Sequence, residues 1–355
     1  MRVNTVLGEI EPEKLGSTLV HEHMFVDGTI WAVKPDQPRY RKIFRKPVAL
    51  ENVGLVRRAG LYSIDNLVVD DFEMILDELS LFKQSGGSTV IDLTVDGIGR
   101  DVERLHRLSR KSRVNIIAPT GYYVDQTIPP WVKKSKTADI TSRIVRDIEE
   151  GIDGSGVKAG VIGEIGVSPG RFTENERKVL IASAKAQTET GVPLTVHMWG
   201  DPPGKWPGFE VIDLLEARGA DVSKVYISHI DWTFNQTNDW SIAKRVAKLG
   251  LYLSFDNFGN EWPASTQYSG PASVKVFGAP TDYQRIEGIK ELVEAGFENQ
   301  ILLAHDLSQK IHFKKYGGHG LDHIPTNVPN LFRMLNVKQS LLSKFLKENP
   351  KRLFS

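Results

Sequence analysis

Short apolar runs rich in Val, Ile and Leu recur along the chain and alternate with stretches of helical periodicity. Several runs are apolar at almost every position, which is typical of strands that are covered on both faces of a parallel sheet. The pattern predicts eight strands: Thr18–Phe25, Ser88–Val95, Val114–Tyr122, Ala159–Gly166, Pro193–Trp199, Lys224–Ile230, Leu251–Phe258 and Gln300–Leu307.

Helical patterns separate these strands, and most of them end at a glycine. The segment Asp71–Gln84 places its apolar side chains on one helical face and is followed by Gly86 and Gly87. Thr173 and Glu176 have the spacing of a capping box, which predicts the start of another helix. Further helices are predicted over Phe209–Arg218, Trp240–Leu249, Arg285–Ala295 and, at the end of the chain, within Asn327–Phe354.

A repeated order of strand, helix, glycine and strand is typical of right-handed βαβ units. Eight such strands favour an α/β fold of the closed (β/α)8 TIM-barrel type over an open doubly wound sheet. We find no G-x-G-x-x-G or P-loop pattern, no linker and no low-complexity segment, so we predict one domain over residues 1–355. The long connections after the first and seventh strands, residues 26–70 and 257–282, are predicted to form loops of the active face.

Composition narrows the functional classes. The chain has 355 residues, with 40% hydrophobic and 25% charged residues, which fits an ordinary globular protein and excludes a disordered or coiled-coil chain. The formal net charge of +1 predicts no nucleic-acid or membrane partner. We find no signal-peptide pattern and no apolar run of about 18 residues, so we expect a cytoplasmic protein. The absence of cysteine means that any metal ion must be held by His, Asp or Glu.

The first strand carries a His-x-His pair. Because side chains alternate along a strand, His21 and His23 should point the same way while Glu22 points the other way. The pair suits either a shared metal ion or two hydrogen-bonded histidines in the core.

Four other predicted strands also carry His, Glu or Asp near their carboxyl ends, namely Glu164, His197, His229 and Asp306. The carboxyl ends of barrel strands form one face, where active sites are built. A carboxylate within an apolar strand is costly unless it is paired or bound to a cation. The sequence therefore predicts a metal site made by His21, His23 and these four residues.

Four imidazoles and two carboxylates exceed the ligands that one tetrahedral ion with an open position needs. They suit two divalent ions about 3.5–4 Å apart, bridged by a carboxylate and a hydroxide. Nitrogen and oxygen ligands allow Zn²⁺, Mn²⁺, Co²⁺ or Fe²⁺, and we expect Zn²⁺ first. Asp306 is the predicted catalytic residue, since it could orient the hydroxide and carry its proton to the leaving group.

Taken together, these motifs resemble the phosphotriesterase family of the amidohydrolase superfamily. The resemblance runs through Val6–Ile10, Leu15–His23, Gly191–His197, the strand that ends at His229, Ala304–Asp306, His323–Asn327 and Glu348–Leu353. It implies a binuclear hydrolase in which His21, His23 and Asp306 hold the buried ion and His197 and His229 hold the exposed one.

The fourth strand departs from the best-known members of that family, in which a carboxylated lysine bridges the two ions. Here the strand contains no lysine, and Gly163–Gly166 resembles the branch in which a glutamate, Glu164, takes the bridging place. Family relatives are often dimers, so the resemblance also implies a homodimer.

The resemblance leaves the small-molecule substrate open among phosphotriesters, lactones, related esters and N-acyl amides. We expect an ester, lactone or amide, because the glutamate bridge favours a carboxyl-type bond. A phosphotriester hydrolase is the alternative within the family, and a metal-binding barrel without catalysis is the alternative of another class.

Tyr123 falls near a tyrosine found beside the metals in lactonase relatives, with packing at the barrel rim as the equal alternative. Five aromatic residues on the predicted active-face loops suggest an apolar pocket wall: Trp31, Trp199, Trp232, Phe258 and Trp262. His305 should point away from the metals, and the three histidines of the eighth loop, His312, His319 and His323, are expected at the surface or in loop ordering.

Overall fold

The computed structural model describes residues 2–199, 206–237, 239–261, 268–269, 275–276 and 279–355. Its eight main strands confirm the predicted barrel. They are β1 (Thr18–Glu22), β2 (Thr89–Asp92), β3 (Asn115–Ile117, continued by Pro119–Thr120), β4 (Val161–Gly166), β5 (Leu194–His197), β6 (Val225–Ile227), β7 (Tyr252–Phe255) and β8 (Ile301–Leu303).

Each strand pairs in parallel with the next one along the chain, from β1 to β8. Beyond the paired residues, the amide of Asp306 donates to the carbonyl oxygen of His21 at 3.1 Å and joins the last strand to the first. The sheet is therefore a closed cylinder, and all the strand carboxyl ends lie at one mouth.

Within the described part of the chain, each of the seven connections between successive strands contains one helix of eight or more residues. These helices are α1 (Phe72–Gln84), α2 (Val102–Ser112), α3 (Thr137–Glu149), α4 (Glu174–Thr190), α5 (Gly208–Glu216), α6 (Ser241–Lys248) and α7 (Asp282–Glu294). The predicted capping box is present at the start of α4, where Glu176 N donates to Thr173 Oγ1 at 3.2 Å. The same helix ends at Gly191, whose φ of 70° is favourable for glycine.

Alternate residues of the strands fall into two apolar clusters. Tyr226 and Leu302 belong to a cluster inside the barrel, which Leu353 and Phe354 also join. Their strand neighbours belong to the large outer cluster, together with side chains of the surrounding helices. This alternation holds each strand in register and so determines which polar side chains reach the mouth.

The connection after β1 has more structure than the predicted loop. Val26–Asp27 pairs with Val68–Val69, and residues 28–67 between them form an insertion with its own small apolar cluster. That cluster includes Ile311 from the segment after β8, and Asn66 Oδ1 accepts a hydrogen bond from Ile311 N at 3.1 Å. The insertion therefore packs on the segment that follows Asp306.

Of the two roles predicted for the histidines after β8, the surface role is wrong for His312 and His323. Both are buried, because the segment after β8 packs against the insertion and against α7. The last helix of the chain is Asn349–Leu353, and Pro350 fits its first turn because no amide donor is needed there. The closing helices before it are Val328–Met334, Gln339–Ser343 and the π-helical Lys344–Glu348.

No helix in the described ranges is long and apolar enough to cross a membrane.

Candidate metal centre

The barrel brings together all six side chains that the sequence predicts as metal ligands. His21 Nε2 lies 3.4 Å from Glu164 Oε2, and His23 Nε2 lies 3.3 Å from Asp306 Oδ1. His229 Nε2 lies 3.9 Å from Glu164 Oε2. All six residues are buried, and Asp306 is the most exposed of them at 9%.

The described residues contain three overlapping groups that could hold a metal ion. One group is His21, His23 and Asp306, a second is Glu164, His197 and His229, and the third joins His21 and His229 to Asp256. Within each group, one potential ligand atom from every residue lies within 4.8 Å of the others. The first group contains the three residues that the family resemblance assigns to the buried ion, and the second contains the two that it assigns to the exposed ion.

Three of the four imidazoles are held through Nδ1, which turns Nε2 toward the centre. His23 Nδ1 lies 2.9 Å from Thr94 Oγ1. His21 Nδ1 lies 3.0 Å from Ser228 Oγ, and His229 Nδ1 lies 2.8 Å from Asp256 Oδ1. A group that holds the outer nitrogen of an imidazole fixes both its tautomer and its orientation toward a metal.

His197 has the opposite orientation. Its Nε2 lies 2.8 Å from the hydroxyl of Tyr123, while its buried Nδ1 has no hydrogen-bond partner among the described residues. Two more buried atoms of the centre, His21 Nε2 and Glu164 Oε2, lie 3.4 Å apart but likewise make no hydrogen bond to a described residue. Buried polar atoms are rarely left unsatisfied, so three at one point fit a site for cations.

Asp256, at the end of β7, is a residue of the site that sequence reasoning missed. Its two carboxylate oxygens reach two imidazoles, since Oδ1 lies 2.8 Å from His229 Nδ1 and Oδ2 lies 3.1 Å from His21 Nδ1. It also accepts a hydrogen bond from the amide of His229 at 3.0 Å. An acidic residue directly after the apolar run of the seventh strand was the available signal.

Burial raises the pKa of the two carboxylates in the centre, whereas the nearby histidines lower it. Burial alone would raise the pKa of Asp306, but the hydrogen bond with His23 and the charge of His229 outweigh burial and lower it. For Glu164, burial dominates and raises the pKa, with His21 and His23 offsetting part of the effect. Burial and the neighbouring His229 hold the pKa of His197 well below its usual value, which keeps a lone pair available for a cation.

Two of the six residues have positive φ, at 58° for His229 and 52° for Asp306. The left-handed region is unfavourable for side chains other than glycine, and such strain is found preferentially at functional sites. At both positions the amide hydrogen bond to a neighbouring strand end holds the conformation, through Asp256 for His229 and through His21 for Asp306.

The aromatic residues proposed for the pocket wall take different positions. Trp232 stacks on His229 with ring centroids 5.0 Å apart, and Trp31 contacts Tyr123 edge-on at 5.7 Å. Trp199 lies 5.0 Å from the ring of His197. Phe258 is only 1% exposed and belongs to the outer apolar cluster. The predicted Trp262 lies outside the described residues.

Glu22 and His305 point away from the centre, as strand alternation predicts for both. Glu22 Oε1 accepts hydrogen bonds from the backbone amide of His305 at 2.8 Å and lies 2.7 Å from His305 Nδ1. Its other oxygen accepts from Leu307 N at 3.1 Å. Behind the centre, Glu22 therefore joins β1 to the segment that carries Asp306.

Barrels that gather imidazoles and carboxylates at the carboxyl ends of their strands are the architecture of many metal-dependent hydrolases, and this fold and site define a protein of that class. The chain belongs to the phosphotriesterase family, whose profile matches residues 1–354. It is therefore a hydrolase of a metal-dependent family.

Known proteins resemble the chain over its whole length. The N-acetyltaurine hydrolase of Homo sapiens is 37% identical over 354 residues, which covers 99% of this chain and 97% of that protein. The crystal structure of a resiniferatoxin-binding protein from Rhodobacter sphaeroides matches with a TM-score of 0.90 and 31% identity, covering 100% of this chain and 95% of that one. A lactonase from Listeria monocytogenes matches with a TM-score of 0.76 and 26% identity, over 100% and 99% of the two chains.

Proposed function

We propose that this chain binds two divalent metal ions and hydrolyses a carboxyl-type bond, with an N-acyl amide as the first substrate class. The observation that carries the proposal is the approach of His21, His23 and His229 to the carboxylate of Glu164, at 3.4, 3.5 and 3.9 Å, with three buried atoms of the centre left without a hydrogen bond to any described residue. Four imidazoles and two carboxylates exceed the ligands that one tetrahedral ion with an open position needs.

The donor set fits hard or borderline divalent cations, since it contains only nitrogen and oxygen atoms. We propose that His21, His23 and Asp306 hold one ion, that His197 and His229 hold the other, and that Glu164 contacts both. Zn²⁺ is the first candidate, with Mn²⁺, Co²⁺ and Fe²⁺ as alternatives. Ions bound there would acidify water and polarise the carbonyl group under attack.

Asp306 is the member of the centre most open to the mouth, where an attacking water and a leaving group could reach its carboxylate. In the proposed reaction, Asp306 accepts a proton from the attacking water and delivers it to the leaving nitrogen or oxygen. Trp232, which stacks on His229, and Trp31, which contacts Tyr123, would cover the apolar part of a substrate.

The relatives support amides as the first substrates to test. N-acetyltaurine hydrolases from several vertebrates match 99% of the chain at 35–37% identity. The lactonase match favours a lactone as the second class. Both are carboxyl-type bonds, so one metal centre with one proton-carrying carboxylate would serve either.

The test is a substrate panel assayed with metal-loaded protein and two Asp variants. N-acetyltaurine, other N-acyl amino acids, lactones and a phosphotriester are offered to the wild type, to Asp306→Asn and to the control Asp322→Asn. Asp322 is also buried after β8, but it pairs with Lys314 at 2.7 Å instead of facing the centre. We expect hydrolysis of an amide or lactone that falls by at least about 100-fold in Asp306→Asn alone.

Two outcomes would contradict the proposal. Turnover of phosphotriesters alone would show that the carboxyl-type preference is wrong. Metal-loaded protein that hydrolyses nothing in the panel would favour a binding protein.

We also propose that the chain works in the cytoplasm as a homodimer, and light scattering of the purified chain tests the dimer.

A further inference from the structure

We propose that Tyr123 is a positioning residue that selects the metal-binding nitrogen of His197. This inference rests on the proposed binuclear centre and adds to it a specific task for a residue outside the ligand set. In this account Tyr123 holds the ring of His197 through Nε2, so that Nδ1 faces the cation.

The contrast with the other imidazoles carries the inference. His21, His23 and His229 are held through Nδ1 by residues of neighbouring strand ends. His197 alone among the four is held through Nε2, by the hydroxyl of Tyr123 at 2.8 Å. The nitrogen that makes no hydrogen bond to any described residue is accordingly Nδ1, and it is buried.

This geometry determines which nitrogen of His197 carries the proton in its contact with Tyr123. A neutral imidazole carries one proton, and the nitrogen that binds a cation must offer its lone pair. If Nδ1 binds the ion, the proton is on Nε2 and is donated to the phenol oxygen of Tyr123.

The surroundings of Tyr123 keep its hydroxyl in place. The side chain is 1% exposed, and its ring meets the ring of His197 edge-on with centroids 4.8 Å apart. Trp31 contacts the ring edge-on from another side. Gly166, at the end of β4, allows the close approach of the Tyr123 backbone, since a Cβ at that position would collide with it.

The variant Tyr123→Phe isolates the hydroxyl, because it keeps the ring and its contacts with Trp31. The matched control is Tyr122→Phe, since Tyr122 is also buried but packs against Trp131, with ring centroids 5.9 Å apart. Both variants and the wild type are freed of metal with a chelator and titrated with Zn²⁺ against a chromophoric competitor. Thermal melts of the metal-free proteins check that the folds are equal.

We expect Tyr123→Phe to bind one Zn²⁺ like the wild type and the second about 10–100-fold more weakly, the usual effect of removing a group that orients a ligand. Tyr122→Phe should bind both ions like the wild type. With the best substrate of the panel, excess Zn²⁺ should restore kcat in Tyr123→Phe, with KM little changed.

Wild-type affinity for both ions in Tyr123→Phe would overturn the inference. A raised KM that excess Zn²⁺ does not correct would also overturn it, because Tyr123 would then act on the substrate rather than on His197. A wild type that takes up fewer than two ions would instead refute the proposed centre, so the two failures are distinguishable.

Discussion

The outer nitrogens of His21 and His229 share one acceptor, the carboxylate of Asp256. Because these imidazoles belong to different ligand groups, Asp256 orients both halves of the candidate centre. The charges of the two histidines hold the pKa of Asp256 well below its usual value despite its burial. A buried carboxylate that is ionised in this way is a strong acceptor for two imidazole N–H groups.

We therefore predict that Asp256→Asn weakens metal binding by about 10–100-fold, because one amide oxygen cannot replace two carboxylate acceptors. Competition with a chromophoric chelator measures the affinity. The control is Asp147→Asn, since Asp147 is equally buried but accepts from Thr120 and Arg143 far from the centre. Equal metal affinity in Asp256→Asn and the wild type would show that the contact is incidental.

The six candidate ligands could be predicted because strand ends that are distant in sequence must meet at one mouth of a barrel. Asp256 follows the same rule, but its role depends on which nitrogen of each imidazole faces inward, and no spacing in the sequence shows that. The burial of His312 and His323 was not predictable either, since it results from contacts with the insertion and with α7.

At the scale of elements, Glu22 joins β1 to the segment after β8 through its three contacts with His305 and Leu307. We predict that Glu22→Ala lowers the free energy of unfolding by at least about 2 kcal/mol, because the buried amides of His305 and Leu307 each lose their acceptor at a cost of about 1–3 kcal/mol. Urea denaturation followed by circular dichroism measures the change. The exposed Glu9, which lies 3.5 Å from Lys158, provides a control variant, Glu9→Ala, with an expected change within about 0.5 kcal/mol. A similarly small loss in Glu22→Ala would contradict the account.

A second contact between elements should depend on pH. Asp282, the first residue of α7, is paired with His323 at 2.6 Å and with Arg285 at 2.9 Å. Burial opposes ionisation of Asp282, but these partners outweigh it and lower its pKa to about 2. A lowered carboxylate pKa stabilises the fold above the unfolded pKa of about 3.9, and the stabilisation is lost as the pH falls toward 2.

We predict that the difference in unfolding free energy between the wild type and Asp282→Asn shrinks by about 2 kcal/mol between pH 5 and pH 2. Urea melts at several pH values, with a chelator present so that metal loss does not contribute, measure this difference. A difference in unfolding free energy that stays constant between pH 5 and pH 2 would show that Asp282 is not the titrating group.

The barrel fold could be predicted from the order of strands, helices and glycines, because each βαβ unit buries its own apolar strand. The structure of the insertion over residues 28–67 could not be predicted, since its helices are as short as Pro38–Arg41 and Val53–Val56. Elements of that length have no readable periodicity, and their shape depends on the small cluster that they form with Ile311.

For the whole molecule, we predict that removing metal lowers the melting temperature by several degrees. Ligands that bind only the folded state stabilise it by about 2.7 kcal/mol at a concentration 100 times Kd. Without the ions, the folded protein must also hold four buried imidazoles and two carboxylates together in one space, which lowers its stability further. Differential scanning calorimetry with and without a chelator measures the shift. Coincident melting curves would contradict a bound metal centre.

The most direct test is a metal titration of the chelator-treated full chain, followed in parallel by bound metal and by hydrolysis of the best amide or lactone substrate. We predict uptake of two divalent ions per chain and activity that rises as the second ion binds. A chain that takes up no divalent ion, or that hydrolyses its substrate equally well without metal, would contradict the account.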